Sequence, residues 1–81
     1  MGMENEVRVY VSDDCDECDR MVALLNKEAI DYELKNISSD KENLRELQQQ
    51  HVYATPALIV KGKKVLGFQE QRIKQILNRL I

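Results

Sequence analysis

The sequence has few of the residues that staple or interrupt small folds. Its 81 residues include no tryptophan, one proline, three glycines and two cysteines. Two cysteines form one bridge at most, and a bridge across a loop this short contributes little stability, so a disulfide-stapled scaffold is excluded. The core must therefore come from aliphatic residues.

Long apolar runs and a strong net charge are absent as well. No run approaches the roughly 20 apolar residues of a membrane-spanning helix, and nothing at the N-terminus resembles a secretory signal peptide. The net charge of −2 predicts no general affinity for nucleic acid or for membrane surfaces. We expect a single domain over residues 1–81 that is monomeric and cytosolic, a compartment where cysteines serve catalysis or metal binding.

The two cysteines, Cys15 and Cys18, lie where a strand gives way to a helix. Residues 7–11 alternate with period two, which predicts a half-buried strand. Residues 16–28 show helical spacing. A C-x-x-C at such a junction in a βα pattern is typical of a redox dithiol. The positive end of the helix favours a thiolate, and an (i, i+3) pair can close a disulfide.

The rest of the chain continues the alternation. A strand is predicted at residues 32–36 and a helix after it, opened by a capping box from Ser39 to Glu42. The apolar run 57–60 predicts a central strand, followed by a turn at 61–63 and a return strand at 64–66. The last helix has apolar residues at i, i+3, i+4 and i+7: Ile73, Ile76, Leu77 and Leu80. The order βαβαββα predicts an α/β fold in which a four-stranded mixed sheet is flanked by three helices.

Three segments at these separations resemble the glutaredoxins, and especially the NrdH-type redoxins, within the thioredoxin fold. They are the C-x-x-C with its preceding acid at 14–18, the Ala-Thr-Pro-Ala at 54–57, and Gly67-Phe68. The resemblance covers residues 7–81. It implies a thioredoxin-like fold and a cis proline at Pro56 that faces the dithiol.

The resemblance also implies a role for each site residue. Cys15 would attack a substrate disulfide, and Cys18 would resolve the mixed disulfide, leaving a Cys15–Cys18 disulfide. Thr55 and Pro56 would bind substrate, with the backbone before the proline pairing to the incoming chain. Gly67-Phe68 would complete the substrate site and open the last helix.

The expected function is therefore a thiol–disulfide oxidoreductase that reduces protein disulfides, with ribonucleotide reductase as the client known for NrdH-type proteins. No bound cofactor is expected; electrons would come from thioredoxin reductase and NADPH, or from glutathione. Asp16-Glu17 replaces the usual Pro-Tyr of glutaredoxins, and Gly67 stands where they have Gly-Gly. These departures favour thioredoxin reductase.

Two alternatives stay open. One is a glutathione-dependent glutaredoxin, and the other is a metal or iron–sulfur carrier. Zinc usually needs four ligands, and only His51 and carboxylates are available beside the cysteines, so no metal site is predicted. The retained Cys18 also argues against an iron–sulfur carrier, because such glutaredoxins more often use a single cysteine.

Acidic residues surround the thiols: Asp13, Asp14, Asp16, Glu17 and Asp19. Two interpretations are open for them. They are either a solvated loop and helix start, or a surface that repels anionic glutathione and selects partners with basic surfaces. Tyr53, just before the proline, either packs at the edge of the core or borders the substrate groove.

Overall fold

The predicted βαβαββα order is confirmed in the computed structural model, which describes residues 7–78. The elements are β1 (Val7–Val11), α1 (Asp16–Lys27), β2 (Glu33–Asn36), α2 (Lys41–Gln49), β3 (Ala57–Val60), β4 (Lys63–Leu66) and α3 (Glu70–Asn78). None of the helices within the described part of the chain has the length and hydrophobicity needed to span a membrane.

The four strands form one mixed sheet in the order β2-β1-β3-β4. β1 runs parallel to β2, with Val9 opposite Leu34. β3 runs antiparallel to both of its neighbours and places Leu58 between Val9 and Val65. All four β3 residues are buried, as expected of a continuous apolar strand in the middle of a sheet.

The period-two alternation of the strands builds two cores, one on each face of the sheet. On one face, Val9 and Leu58 pack with Met21 of α1 and Ile73 of α3. The other face carries a smaller cluster of Tyr10, Leu47, Val52, Ala57 and Ile59 under α2. Helices α1 and α3 therefore cover one face and α2 the other. The C-terminal end of β1, which leads to the cysteines, lies in the middle of this assembly.

The helix ends differ from the prediction in detail. α1 ends at Lys27, with Glu28 as its C-cap, and β2 begins at Glu33 instead of residue 32. The predicted Ser39 capping box is wrong, because the N-cap of α2 is Asp40, whose side chain accepts the Glu42 N–H at 2.9 Å. The Ser39 N–H instead donates to Asn36 Oδ1 at 3.0 Å, so Ser39 belongs to the turn that ends β2.

Both α1 and α2 terminate in a left-handed residue that is not glycine. Ala29 has φ 56° and His51 has φ 62°. Beyond each, a backbone N–H reaches back to the last turn: Ile30 to the Leu25 carbonyl at 3.0 Å, and Val52 to the Leu47 carbonyl at 3.2 Å. These are Schellman-type ends, where glycine is the residue without a steric penalty.

The C-terminal third also shows shifted boundaries. The hairpin turn has only two residues, Lys61 and Gly62, both with positive φ, as a type I′ turn requires. β4 therefore begins at Lys63 instead of residue 64. Gly67 and Phe68 precede α3 instead of opening it, since the helix begins at Glu70. Leu80, predicted on the apolar face of this helix, lies outside the described residues.

A polar network ties the sheet to α2. The Tyr10 hydroxyl donates to Glu46 Oε1 at 3.1 Å, and Lys35 Nζ lies 2.9 Å from the same oxygen. Burial and the neighbouring Glu46 raise the pKa of Tyr10. The hydrogen bond with Lys35 lowers the pKa of Glu46, and that with Glu46 raises the pKa of Lys35. The network lies on the α2 side and fixes the orientation of β1 against that helix.

Candidate active site: a dithiol braced by three loops

Cys15 and Cys18 are joined in a disulfide at the start of α1, which confirms the predicted pairing. Their Cα atoms lie 5.2 Å apart. Cys15 is the N-cap residue, with extended backbone (φ −124°, ψ 102°), and its Sγ accepts the Cys18 N–H at 3.0 Å. The helix start therefore directs an amide that has no partner within the helix, and the positive end of its dipole, at this sulfur.

The two sulfurs differ in access. Cys15 is partly exposed, whereas Cys18 retains 2% of its accessible surface and belongs to the core cluster that contains Met21 and Leu25. An incoming reactant can therefore reach Cys15 first. Cys18 lies behind Cys15, on the core side of the disulfide.

Three segments that are distant in sequence meet around the disulfide. We call them the dithiol segment (residues 12–18), the proline loop (53–56) and the glycine loop (67–69). Ser12 Oγ and Thr55 Oγ1 lie 2.7 Å apart and share a hydrogen bond. The Gly67 N–H donates to the Pro56 carbonyl at 2.8 Å. The proline loop is thus bonded to both of the other segments.

A third bond connects the dithiol segment directly to the glycine loop. The Phe68 N–H donates to Glu17 Oε1 at 3.2 Å, across 51 residues of sequence. Gly67 has φ 77°, and its Cα faces the same carboxylate oxygen, which would lie 3.7 Å from an added Cβ. Glu17, which lies between the two cysteines, therefore accepts a hydrogen bond from a backbone amide of the glycine loop.

The predicted substrate residues all lie in these braced loops. The Thr55–Pro56 peptide bond is cis, as predicted. Pro56 is buried and Thr55 half-buried. Within residues 7–78, the backbone N–H and C=O of Thr55 have no hydrogen-bond partner.

The acids around the dithiol are exposed and carry no neutralising cation. This holds for Asp13, Asp14, Asp16, Glu17 and Asp19: within the described part of the chain, the ion pairs involve other carboxylates. These carboxylates therefore attract a cationic group that approaches Cys15 and repel an anionic one.

Sequence reasoning missed the residues that hold the dithiol segment in place. Asn36 Nδ2 donates to Asp13 Oδ1 at 3.2 Å, and the Asp13 N–H donates to Ser38 Oγ at 3.0 Å. The Ser12–Thr55 pair was also unforeseen. The only available signal was a cluster of small polar residues directly after β1 and β2, whose parallel pairing places their ends side by side.

Two other residues named from the sequence lie on the surface. Tyr53 is 73% exposed, so it does not pack into the core. His51 is exposed at the end of α2. Among residues 7–78, no three His, Cys, Asp or Glu side chains are grouped in a way that could hold a metal ion.

Comparison with protein-family models matches residues 7–65 to the glutaredoxin model. Comparison with curated protein sequences found no significant match. A mutant of the thioredoxin-like protein BC3987 has a similar structure, with TM-score 0.85 and 29% identity over 89% of this chain and 99% of that chain. The glutaredoxin grx-1 from Archaeoglobus fulgidus gives TM-score 0.80 and 28% identity over 94% and 88% of the two chains.

A third solved structure, the glutaredoxin-like protein NrdH-redoxin from Escherichia coli, gives TM-score 0.76 over 86% of this chain and 92% of that chain. Its identity is 21%, so the likeness concerns the fold. Together these structures confirm the predicted thioredoxin-like fold, and the family match covers both cysteines.

Proposed function

Because the chain belongs to the glutaredoxin family and has its C-x-x-C pair, it is a disulfide oxidoreductase, and we propose that it reduces protein disulfides with electrons from a flavoprotein thioredoxin reductase and NADPH. In this proposal it acts in the cytosol as a monomeric, NrdH-like electron donor, with ribonucleotide reductase as one expected client. The observation that carries the choice of reductant is the Glu17 carboxylate bound to the Phe68 N–H.

The proposed reaction uses the two cysteines in sequence. The Cys15 thiolate attacks one sulfur of the substrate disulfide, forming a Cys15–substrate bond and releasing the other substrate sulfur as a thiolate that takes a proton. Cys18 then loses its proton and attacks the Cys15 sulfur, which releases the second substrate thiol. Two electrons and two protons have moved to the substrate, and the Cys15–Cys18 disulfide remains for the reductase to reduce.

The asymmetry of the two sulfurs supports these roles. Cys15 is the accessible sulfur, and its position at the N-cap gives a thiolate the Cys18 N–H as a donor. The free backbone groups of Thr55 support the proposal that a substrate strand pairs there while its disulfide lies at Cys15.

The electrostatics of the site favour a protein reductant over glutathione. Glutathione is a net anion, and it would approach Cys15 through exposed carboxylates that form no ion pair with any cation of residues 7–78. The Phe68 N–H lies next to the dithiol and could donate a hydrogen bond to a carboxylate of glutathione, but it already donates to Glu17. A protein reductase can instead supply basic groups to the same surface.

A paired turnover assay tests the proposal. The substrate is insulin, and one reaction contains thioredoxin reductase and NADPH, whereas the other contains glutathione, glutathione reductase and NADPH. We expect turnover in the first reaction and little in the second. Turnover confined to the glutathione reaction would overturn the proposed reductant.

Variants separate the roles of the residues. Cys15→Ser should abolish turnover, whereas Cys18→Ser should accumulate a mixed disulfide that mass spectrometry detects. Glu17→Ala should raise turnover with glutathione, because it frees the Phe68 amide and removes one charge. Asp31→Asn removes one charge from an exposed position outside the site and should leave both reactions unchanged. An equal response to the two charge changes would contradict the role given to Glu17.

A further inference from the structure

A groove of about 480 Å³ opens beside the dithiol, between the start of α1 and the end of β2. Buried Cys18 forms part of its wall, so the groove adjoins the disulfide itself. It lies on the β2 side of the dithiol and does not include the proline loop or the glycine loop.

The lining of the groove combines two kinds of surface. One part is apolar, formed by Val11, Val22 and Leu34. Leu34 lies on the edge strand β2 and is 52% exposed, so about half of its surface is open to solvent. The apolar part therefore offers contact area to an aliphatic chain.

The other part of the lining is acidic, formed by Asp13, Asp14 and Asp19. No Lys, Arg or His of residues 7–78 pairs with any of the three. The Asp13 carboxylate is held by Asn36, which also lines the groove. This bond orients the Asp13 carboxylate within the lining of the groove.

Lysine and arginine side chains match this combination. Each has an apolar stem that packs on aliphatic surface and a cationic head that seeks carboxylates. An aliphatic side chain would leave the three carboxylates without a partner, and an acidic one would be repelled.

We propose that this groove is a specificity site that receives a lysine or arginine side chain lying next to the cysteine of the substrate disulfide. The proposal rests on the function proposed above and names its substrate class: protein or peptide disulfides flanked by a basic residue. The basic side chain orients the substrate so that its disulfide lies against Cys15.

The test uses stoichiometric reduction, so it needs no reductase. The protein is reduced with dithiothreitol, desalted, and mixed with disulfide-linked dimers of a short peptide. Three peptides differ only at the residue next to cysteine, which is arginine, its neutral isostere citrulline, or glutamate. Acid-quenched samples are resolved by chromatography to give second-order rate constants.

We expect the arginine peptide to react about two- to fivefold faster than the citrulline peptide at low salt, and the glutamate peptide to be slowest. The advantage of arginine should shrink in 0.5 M salt, where screening is strong. Equal rate constants for the three peptides would overturn the groove proposal while leaving the oxidoreductase function intact. Failure to reduce any peptide would instead contradict the proposed function.

A matched pair of double variants separates the groove from the overall charge. Asp14→Asn/Asp19→Asn removes two charges from the groove, and asparagine tolerates the positive φ of 55° at position 14. Glu28→Gln/Asp31→Asn removes two charges from exposed positions outside it. The first variant should lose the preference for arginine over citrulline, and the second should keep it. Loss of the preference in both variants would attribute it to net charge and overturn the proposal.

Packing provides an independent check. Leu34→Ala should slow the arginine and citrulline peptides alike, since both have the aliphatic stem. Leu66 is similarly exposed, at 49%, and lies outside the groove. Leu66→Ala should therefore leave the rate constants of both peptides unchanged. An equal effect of the two substitutions would count against the groove.

Discussion

Serine should be the more stable replacement for Cys15, whereas alanine should be the more stable replacement for Cys18. All four variants lack the disulfide, so a comparison within each position removes its contribution. At position 15, a serine hydroxyl can accept the Cys18 N–H as the sulfur does, whereas alanine leaves this amide without its cap. Cys15→Ser should therefore be more stable than Cys15→Ala by about 1 kcal/mol, the usual effect of an N-cap.

Position 18 should show the reverse order. Cys18 is 2% exposed and packs in an apolar cluster with Met21 and Leu25. Serine would bury a hydroxyl there, and alanine would not, so Cys18→Ala should be more stable than Cys18→Ser by about 1 kcal/mol. For a domain of this size, each difference corresponds to roughly 4–8 °C in Tm.

The measurement is thermal unfolding followed by far-ultraviolet circular dichroism, with reductant present so that the remaining cysteine cannot pair. Tryptophan fluorescence is not available, because the chain has none. The same order of serine and alanine at both positions would refute the reasoning. Serine as the more stable replacement at both positions would contradict the burial effect at Cys18, and alanine as the more stable replacement at both would contradict the cap at Cys15.

Three further predictions concern the scaffold. Tyr10→Phe removes the hydrogen bond to Glu46 and should lower the free energy of unfolding by about 1 kcal/mol, seen as a lower urea midpoint with an unchanged m-value. The hydrogen bond with Lys35 lowers the pKa of Glu46 from its usual value of 4.5. The stabilisation of the folded state by ionised Glu46 is therefore complete above pH 4.5 and is lost as the pH falls through the lowered pKa. Glu46→Gln should flatten this acid-side loss in urea titrations from pH 7 to 3; an unchanged slope would contradict the assignment. Ala29→Gly should raise the unfolding free energy by about 1 kcal/mol, because Ala29 is exposed with φ 56°.

Most of the fold was predictable because its determinants are local. The period-two pattern of β1, the continuous apolar run of β3 and the helical spacing of α1 and α3 each lie within one short window. Errors fell at boundaries, where neighbouring residues compete. Ser39 and Asp40 are both good capping residues, and only the turn after β2 decides between them, since Asn36 accepts the Ser39 N–H.

The two cysteines and the proline of the candidate site were predictable from the sequence, whereas the hydrogen bonds between its loops were not. Cys15, Cys18 and the cis Pro56 followed from motif spacing and from the family resemblance. The bond from Phe68 to Glu17 spans 51 residues, and that from Ser12 to Thr55 spans 43. Such pairs depend on which loops the sheet order brings together, and no local pattern encodes them.

The sequence by itself determined the chemistry: a dithiol at a helix start, surrounded by acids, in a chain whose apolar periodicities set the order of its strands and helices. Those properties depend on residue type and on spacing along one element. The tertiary structure alone decided which sulfur is accessible, that Glu17 occupies the amide of the glycine loop, and that three aspartates share a groove with exposed Leu34. These are properties of surfaces built from several elements, and burial and distance are defined only once the sheet has brought those elements together.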